Sequence, residues 1–470
     1  MERRRVPLRV THLRRRKVPS ETVMTLVNRA LQSGDAYLAA AVYAAAESPQ
    51  RETLSTLLFA TAKRKRQFGA AIYAPGAVLD VLASDSDPKV RLRVARNPAA
   101  PAAALARLAE GEPSPEMAAA IASHSNTGPG ILERLAQSSD PSVRLALCGN
   151  RNTPPDVLQQ LLANGDLAEM KAVAANPSAN SEILTALWAG GDLYVRAEVA
   201  AHSAASEAIL REALGSGEPI IRRKVAANPA LDTESLVALL DDPVGAVRAA
   251  AVRNLAPGGQ AADELAEDPC FQVRRAEARH AGLKPDVARR LSADRDAWVR
   301  RWLARNPAAP VDVLERLAGD DELEVRRGVG RNSACPVALV RQLSQDPAAW
   351  VRAGIALRAD VPEDILLTLG QEDDPDVLSA VGRNVRTPES LLVRIAQNHD
   401  ADVRRSVVLN RAAPREALRL LVEDPYPLNR AMLARHGNLF VSDLEPMLGD
   451  PEPQVRFTAA SALIKRANTN

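Results

Sequence analysis

The sequence predicts an all-α solenoid of about fourteen 26-residue two-helix repeats behind an N-terminal helical cap. Three observations predict it. A polar residue recurs at Asn97, His124, Asn150, Asn176, His202, Asn228, Asn254, His280, Asn306, Asn332, Arg358, Asn384, Asn410 and His436, and after one 27-residue step the spacing is 26 every time. Self-similarity at such a period marks units that cannot bury an apolar face alone and must stack. Aliphatic residues fall seven and three positions before that site, as in Val90 and Val94 or Val299 and Leu303, which is the i, i+4 spacing of one helix face. Helix formers dominate the composition, and with only 3% aromatic residues the core must be built from small aliphatic contacts.

Along the chain, residues 1–19 read as a basic arm, 20–70 as the cap and 71–470 as the repeats. Cap helices are expected over 20–32, 35–47 and 52–68, with a break at Ser33-Gly34. Within a repeat the first helix starts at pairs such as Asp242-Pro243 and Asp346-Pro347, where Asp accepts from an orphan N–H and Pro has none to leave unsatisfied. The second carries an i, i+3 pair such as Leu105 and Leu108 or Leu314 and Leu317, usually behind a proline such as Pro101 or Pro310. Between them the Asn/His site is expected to secure the turn through a left-handed or capping conformation and side-chain hydrogen bonds. Four of the six histidines stand in this column but never in adjacent repeats, so they do not converge as metal donors. Stacked at ~9 Å, fourteen units predict a curved rod more than ~100 Å long.

The strings DPSVRLALCGNRNTPPDVLQQLL, VRRWLARNPAAPVDVLERLAGDDELEVRRGVGRN and VRRSVVLNRAAPREALRLL resemble the leucine-rich repeat variant family, and more loosely HEAT repeats, over about residues 70–460. The resemblance implies a right-handed superhelix of paired short helices, the second partly 3₁₀. Two departures stand out. The unit is somewhat longer than the usual variant repeat, and the N-terminal cysteine cluster that holds an iron–sulfur centre in one family member is missing, so no redox cofactor is implied.

Composition narrows the function classes. Cys148, Cys270 and Cys335 are too far apart for a CxxC motif and fit a reducing cytoplasm. No apolar run approaches the ~18 residues of a membrane span, and Arg9, His12, Arg14, Arg15, Arg16 and Lys17 interrupt any secretory signal. No phosphate-binding, zinc-protease or nucleophile-elbow motif occurs, so neither an enzyme nor a cofactor is expected. Residues 1–66 carry 14 Lys/Arg against 5 Asp/Glu, leaving 46 against 53 for the rest: a basic head on an acidic array.

An arginine follows the first aliphatic site in nearly every unit, for example Arg248, Arg274, Arg300, Arg326 and Arg352, with Lys171 taken as one member and Ala118 and Leu378 as breaks. The HEAT-like resemblance implies that such a column pairs with acidic loop residues and fixes the stacking register; the alternative is a phosphate-tracking stripe. Residues 270–332 favour a binding face: 14 Lys/Arg against 10 Asp/Glu, with Arg275, Arg301 and Arg327 following the register arginine and Arg279, Arg305 and Arg331 preceding the Asn/His site. Trp298 and Trp350 share one position two repeats apart, and Tyr194 matches it. Arg and Trp dominate binding hot spots, although the tryptophans could instead fill gaps between helices. Nearby repeats look weak, with Ala251, Ala262, Glu277 and Ala288 at inward sites and Gly258-Gly259 in a turn, which suggests a hinge. Glu277 reads as either displaced to the edge or buried beside an arginine. Arg14, Arg15, Arg16, Lys17, Lys63, Arg64, Lys65 and Arg66 are candidates for a polyanion, an acidic protein face or the array itself. The function expected from this pattern is a non-enzymatic scaffold that binds a protein partner, with a nucleic-acid-binding solenoid as alternative. A DNA glycosylase built on Trp298, Trp302 and Glu277 is the enzyme reading that so regular an array fits least. Oligomeric state is not legible.

Overall fold

The computed structural model describes residues 20–163, 165–256 and 263–467, and every regular element among them is a helix. Arg14, Arg15, Arg16, Lys17, Gly258, Gly259 and Ala262 lie outside the described residues.

Boundaries follow the expected chemistry. The helix Ala297–Arg305 starts where Asp296 accepts the Trp298 N–H and stops at Asn306. The helix Val311–Leu317 follows behind Pro310. Val299 and Leu303 from the first and Leu314 and Leu317 from the second are buried together as a common core. Among the described residues, 3₁₀ geometry is confined to Leu239–Asp241, Asp263–Glu267 and Pro446–Gly449. First helices of successive repeats pack closely, whereas most successive second helices barely meet, so the stack bends with first helices on the inside. Small residues permit that approach: a Cβ on Gly328 would lie 3.0 Å from the Ala304 Cβ.

The Asn/His column is a hydrogen-bond ladder between repeats. Asn306 Nδ2 donates to the carbonyls of Ala278 (2.9 Å) and His280 (2.8 Å) in the preceding unit, and its Oδ1 accepts the Ala308 N–H (2.9 Å). His280 uses its ring in the same way, Nε2 bonding the Leu255 carbonyl and Nδ1 facing the Gly282 N–H, which selects the neutral tautomer with hydrogen on Nε2. Arg358 substitutes by donating to the carbonyls of Gly330 and Asn332 while Asp360 holds its guanidinium. Of the left-handed and capping conformations expected at this site, the structure has the capping one: Asn306 ends its helix with extended backbone (φ −76°, ψ 120°), and no described residue other than glycine has positive φ. Asn306→Ala strands two carbonyls and an N–H and is expected to cost about 2 kcal/mol, whereas Asn306→His should cost less because the ring replaces two of the three bonds. Chemical denaturation of both variants checks this.

The arginine register is a second ladder. Arg300 pairs with Asp320 through two bonds (2.7 and 3.0 Å) and donates to the Asp294 carbonyl (2.8 Å); Asp294 in turn receives Arg274. The pattern recurs at Arg222–Asp242, Arg248–Asp268, Arg326–Asp346, Arg352–Glu372, Arg404–Asp424 and Arg430–Asp450. At the two breaks the acid is missing as well: twenty residues on from Leu378 stands Asn398, and from Ala118, Ser138. Both still accept a backbone N–H through their neutral side chains, so no charge is left alone. Lys171 is not a rung; Met170 holds that register position, Lys171 lies 5.6 Å from the Tyr194 ring, and Arg144 takes Glu169 instead.

Burial raises the carboxyls of Asp268, Asp320 and Asp424, but the hydrogen bonds from Arg248, Arg300 and Arg404, together with backbone N–H bonds and the charges of the neighbouring arginines, outweigh it and leave each below its ordinary value. A lowered folded pKa contributes stability above the unfolded value of about 3.9 and loses it as pH falls through the folded value. Stability should therefore hold near neutrality and fall steeply below about pH 4, as followed by circular dichroism; unchanged stability down to about pH 2.5 would contradict the ladder.

Residues 20–70 hold four helices: α1 (Ser20–Ser33), α2 (Ala36–Tyr43), α3 (Ser48–Leu58) and α4 (Ala62–Ala70). The helix expected over 52–68 is two, because Thr61 caps a new start by accepting the Arg64 N–H. α4 packs on the helix Pro88–Ala95, and its Lys65 pairs with Asp85 at 2.7 Å, a rung of the same ladder. α2 packs against the C-terminal helix Pro453–Ala467. Across this seam Arg456 pairs with Asp35, which occupies the place that Asp450 takes for Arg430. The Tyr73 and Phe457 rings meet at 5.3 Å. The contacts thus form a closed circuit, which corrects the open rod: the cap covers both ends of the core at once.

Candidate partner-binding face

The inner side of the first helices carries the residues singled out in the sequence. Successive helices place Arg275, Arg301 and Arg327 in one row and Arg253, Arg279, Arg305 and Arg331 in a second, one step per repeat. Trp298 and Trp350 are 52% and 41% exposed, so they do not fill gaps between helices. Their faces are used: the Arg301 guanidinium lies 4.8 Å from the Trp298 ring centre and that of Arg327 lies 3.7 Å from Trp350. Arg279 and Arg305 both reach the Trp302 ring, at 4.1 and 5.6 Å. Cation–π contact holds these guanidiniums in place without neutralising them.

Charge on this face is uneven. Glu324 is held by Arg301 (3.0 Å) and Arg305 (3.7 Å) and accepts the Trp350 indole N–H (2.9 Å). Arg223, Arg253, Arg275, Arg279 and Arg331 make no ion pair among the described residues. Desolvation lowers the Arg253 pKa, and the guanidiniums of Arg275, Arg279 and Arg223 lower it further. Arg327 is shifted the same way by desolvation and then by Arg331. The ladder arginines behave oppositely, raised by their carboxylate partners. One register therefore spends its charge on stacking, and the other presents surplus positive charge beside exposed indoles.

The remaining candidates divide. Lys65 pairs with Asp85 and Arg66 with Asp87 (3.1 Å), while Arg64 donates to the Leu57 carbonyl (3.0 Å); only Lys63 of that run is exposed and unengaged. The run is thus largely docked on its own array. Glu277 is buried in the aliphatic column, 2% exposed, so the displaced alternative is corrected. Burial, then Glu169, pushes the Cys148 thiol up to about 12, which leaves it unreactive at neutral pH. No described residues group as three or more His, Cys, Asp or Glu donors for a metal, and no described helix is long and apolar enough to cross a membrane. Sequence reading missed Glu324 as the organiser of the face and Arg223 and Arg253 as its extension; the 26-residue recurrence through Arg253, Arg279, Arg305 and Arg331 was the available signal.

The family model of the leucine-rich repeat variant domain matches residues 89–151, and that of the leucine-rich repeat variant matches 297–322, the repeat that carries Trp298. Residues 89–151 and 297–322 are thus units of the leucine-rich repeat variant kind. A solved leucine-rich repeat variant with a novel repetitive structural motif is 24% identical, over 53% of this chain and 88% of its own, with a TM-score of 0.33. A chain from the structure of Kap95p bound to RanGDP is 12% identical, over 96% of this chain and 66% of its own, with a TM-score of 0.31. No curated protein matches. In this array the two ladders account for most of the regular polar positions, and what departs from regularity is the aromatic and arginine cluster.

Proposed function

We propose that this leucine-rich repeat variant array is a non-catalytic scaffold that docks a protein partner on the inner face around Trp298, Trp302 and Trp350. The observation that carries the reading is the exposure of Trp298 and Trp350 on a face where Arg275, Arg279, Arg327 and Arg331 make no ion pair among the described residues. Exposed indoles next to guanidiniums are the side chains that dominate protein hot spots. The nucleic-acid alternative loses Lys65 and Arg66 to ion pairs with the array. Its three cysteines are free thiols, which suits a reducing compartment such as the cytoplasm.

The test is site-specific photo-crosslinking in the native host, with the reactive group at position 298 or, as control, at the exposed Val337 of a second helix. A protein adduct specific to 298 and lost in Trp350→Ala is expected. Adducts to nucleic acid alone, or the same proteins from both positions, would contradict the reading.

A further inference from the structure

Glu324 shows how this face holds a carboxylate: two arginines four residues apart on one helix, Arg301 and Arg305, grip an acid supplied one repeat later. The same arginine pair recurs one repeat earlier as Arg275 and Arg279 and one repeat later as Arg327 and Arg331. At those two places the position equivalent to Glu324 is Trp298 and Trp350, so the chain supplies an indole face and no acid. Two carboxylate-binding pairs, each with an aromatic shelf, therefore flank one that the protein fills itself.

We propose that the inner face from the helix Phe271–Ala278 to the helix Leu323–Gly330 binds an extended acidic segment of a partner polypeptide, one carboxylate on Arg275 and Arg279 and a second on Arg331 beside Arg327. This rests on the docking function proposed above and names the chemistry of its partner. Packed helices stand ~8–10 Å apart, so the two pairs are roughly 16–20 Å apart. An extended chain rises about 3.3 Å per residue, which sets the two acids about five or six residues apart, with an apolar residue between them over Trp298 and Trp302. Carboxylates suit the forked guanidinium, and stacking of Arg279 on Trp302 and of Arg327 on Trp350 keeps a fork oriented at each pair before the partner arrives.

A polypeptide fits better than a nucleic acid strand because the positive window is short. Asp376 and Asp402, both exposed, take the Trp298 position in the two repeats that follow Trp350, and Leu357 interrupts the Arg331 row. Glu324 stands in the middle of the window. A phosphate backbone following the arc would meet these acids, whereas a segment with two spaced carboxylates straddles Glu324 and ends before Asp376. The basic residues 1–19 of this chain would be repelled from the same face, so they are not its occupant.

Fluorescence anisotropy of the full chain with labelled ten-residue peptides tests the inference. Each peptide carries two glutamates three to eight residues apart around a leucine; controls replace both with glutamine, and a ten-base oligothymidylate is the polyphosphate arm. The acidic peptides should bind about tenfold more tightly than the glutamine controls, best at separations of five or six, and more tightly than the oligonucleotide. Arg279→Gln and Arg331→Gln break no ion pair, so each should melt like the parent while losing about tenfold in peptide affinity. Equal binding of acidic and neutral peptides, tighter binding of the oligonucleotide, no binding of any peptide, or indifference to both substitutions would overturn the proposal. A protein crosslinked at position 298 and insensitive to both substitutions would leave the docking face standing and refute the acidic segment alone.

Discussion

Arg274→Gln is expected to lower the stability of the array by about 3 kcal/mol, the scale of breaking a buried ion pair from one side. Arg274 is the most enclosed arginine of the ladder, its side chain 7% exposed, and its partner Asp294 is 4% exposed. The guanidinium also donates to the Asp268 carbonyl, so its loss strands a carboxylate and a carbonyl together. The protein indicates how the loss can be repaired. Leu378 stands where the arginine would be and Asn398 where the acid would be, and Asn398 still accepts the Asp400 N–H. Arg274→Leu with Asp294→Asn should therefore recover most of the stability that either change alone removes, because no charge is left buried. Equilibrium denaturation of the two single variants and the double decides it. Additive losses would mean that Arg274 and Asp294 act independently.

Arg456→Glu should open the seam. It places a carboxylate against Asp35 at the junction of α2 with the C-terminal helix, while Asp35 remains free to cap α2 through the Tyr37 N–H. In an open array each repeat touches only its neighbours and the end units fray; closure removes both ends. Of the ten Phe and Tyr in the chain, Tyr37, Tyr43, Phe59, Phe68, Tyr73 and Phe457 gather in ring contacts in the cap and across its seam. An aromatic-poor protein has thus concentrated its large rings where two distant segments must hold together. The variant should lose hydrogen-exchange protection first in α1, α2 and the C-terminal helix, with the central repeats unaffected. Protection lost evenly along the chain would contradict a local seam.

Much of this was legible in the sequence because it repeats. The Asn/His column and the arginine register each need one residue type at one spacing, and the structure gives the column its capping bonds and most of the register its acids, while Arg91 and Arg196 reach only backbone carbonyls and Met170 stands in place of Lys171. Closure was not legible. Asp35 reads as an ordinary helix cap, and nothing local shows that it completes the ladder for Arg456, 421 residues away. The same limit applied to the binding face: the arginines and tryptophans stood out by type, but Glu324 is one acid among many until Arg301, Arg305 and Trp350 are seen around it.

Small-angle X-ray scattering of the full chain tests the closed array most directly. Among the described residues seventeen inner helices, α2, α4 and the fifteen first helices from Pro88–Ala95 to Pro453–Ala467, stand ~9 Å apart around the closed circuit; they give a diameter near ~50 Å at the helix axes, and with an outer layer of second helices a maximum dimension of roughly 70–90 Å. The account predicts a value in that range for the parent chain and a clear increase for Arg456→Glu. A parent dimension beyond ~130 Å, unchanged by the substitution, would show an open solenoid and contradict the closure.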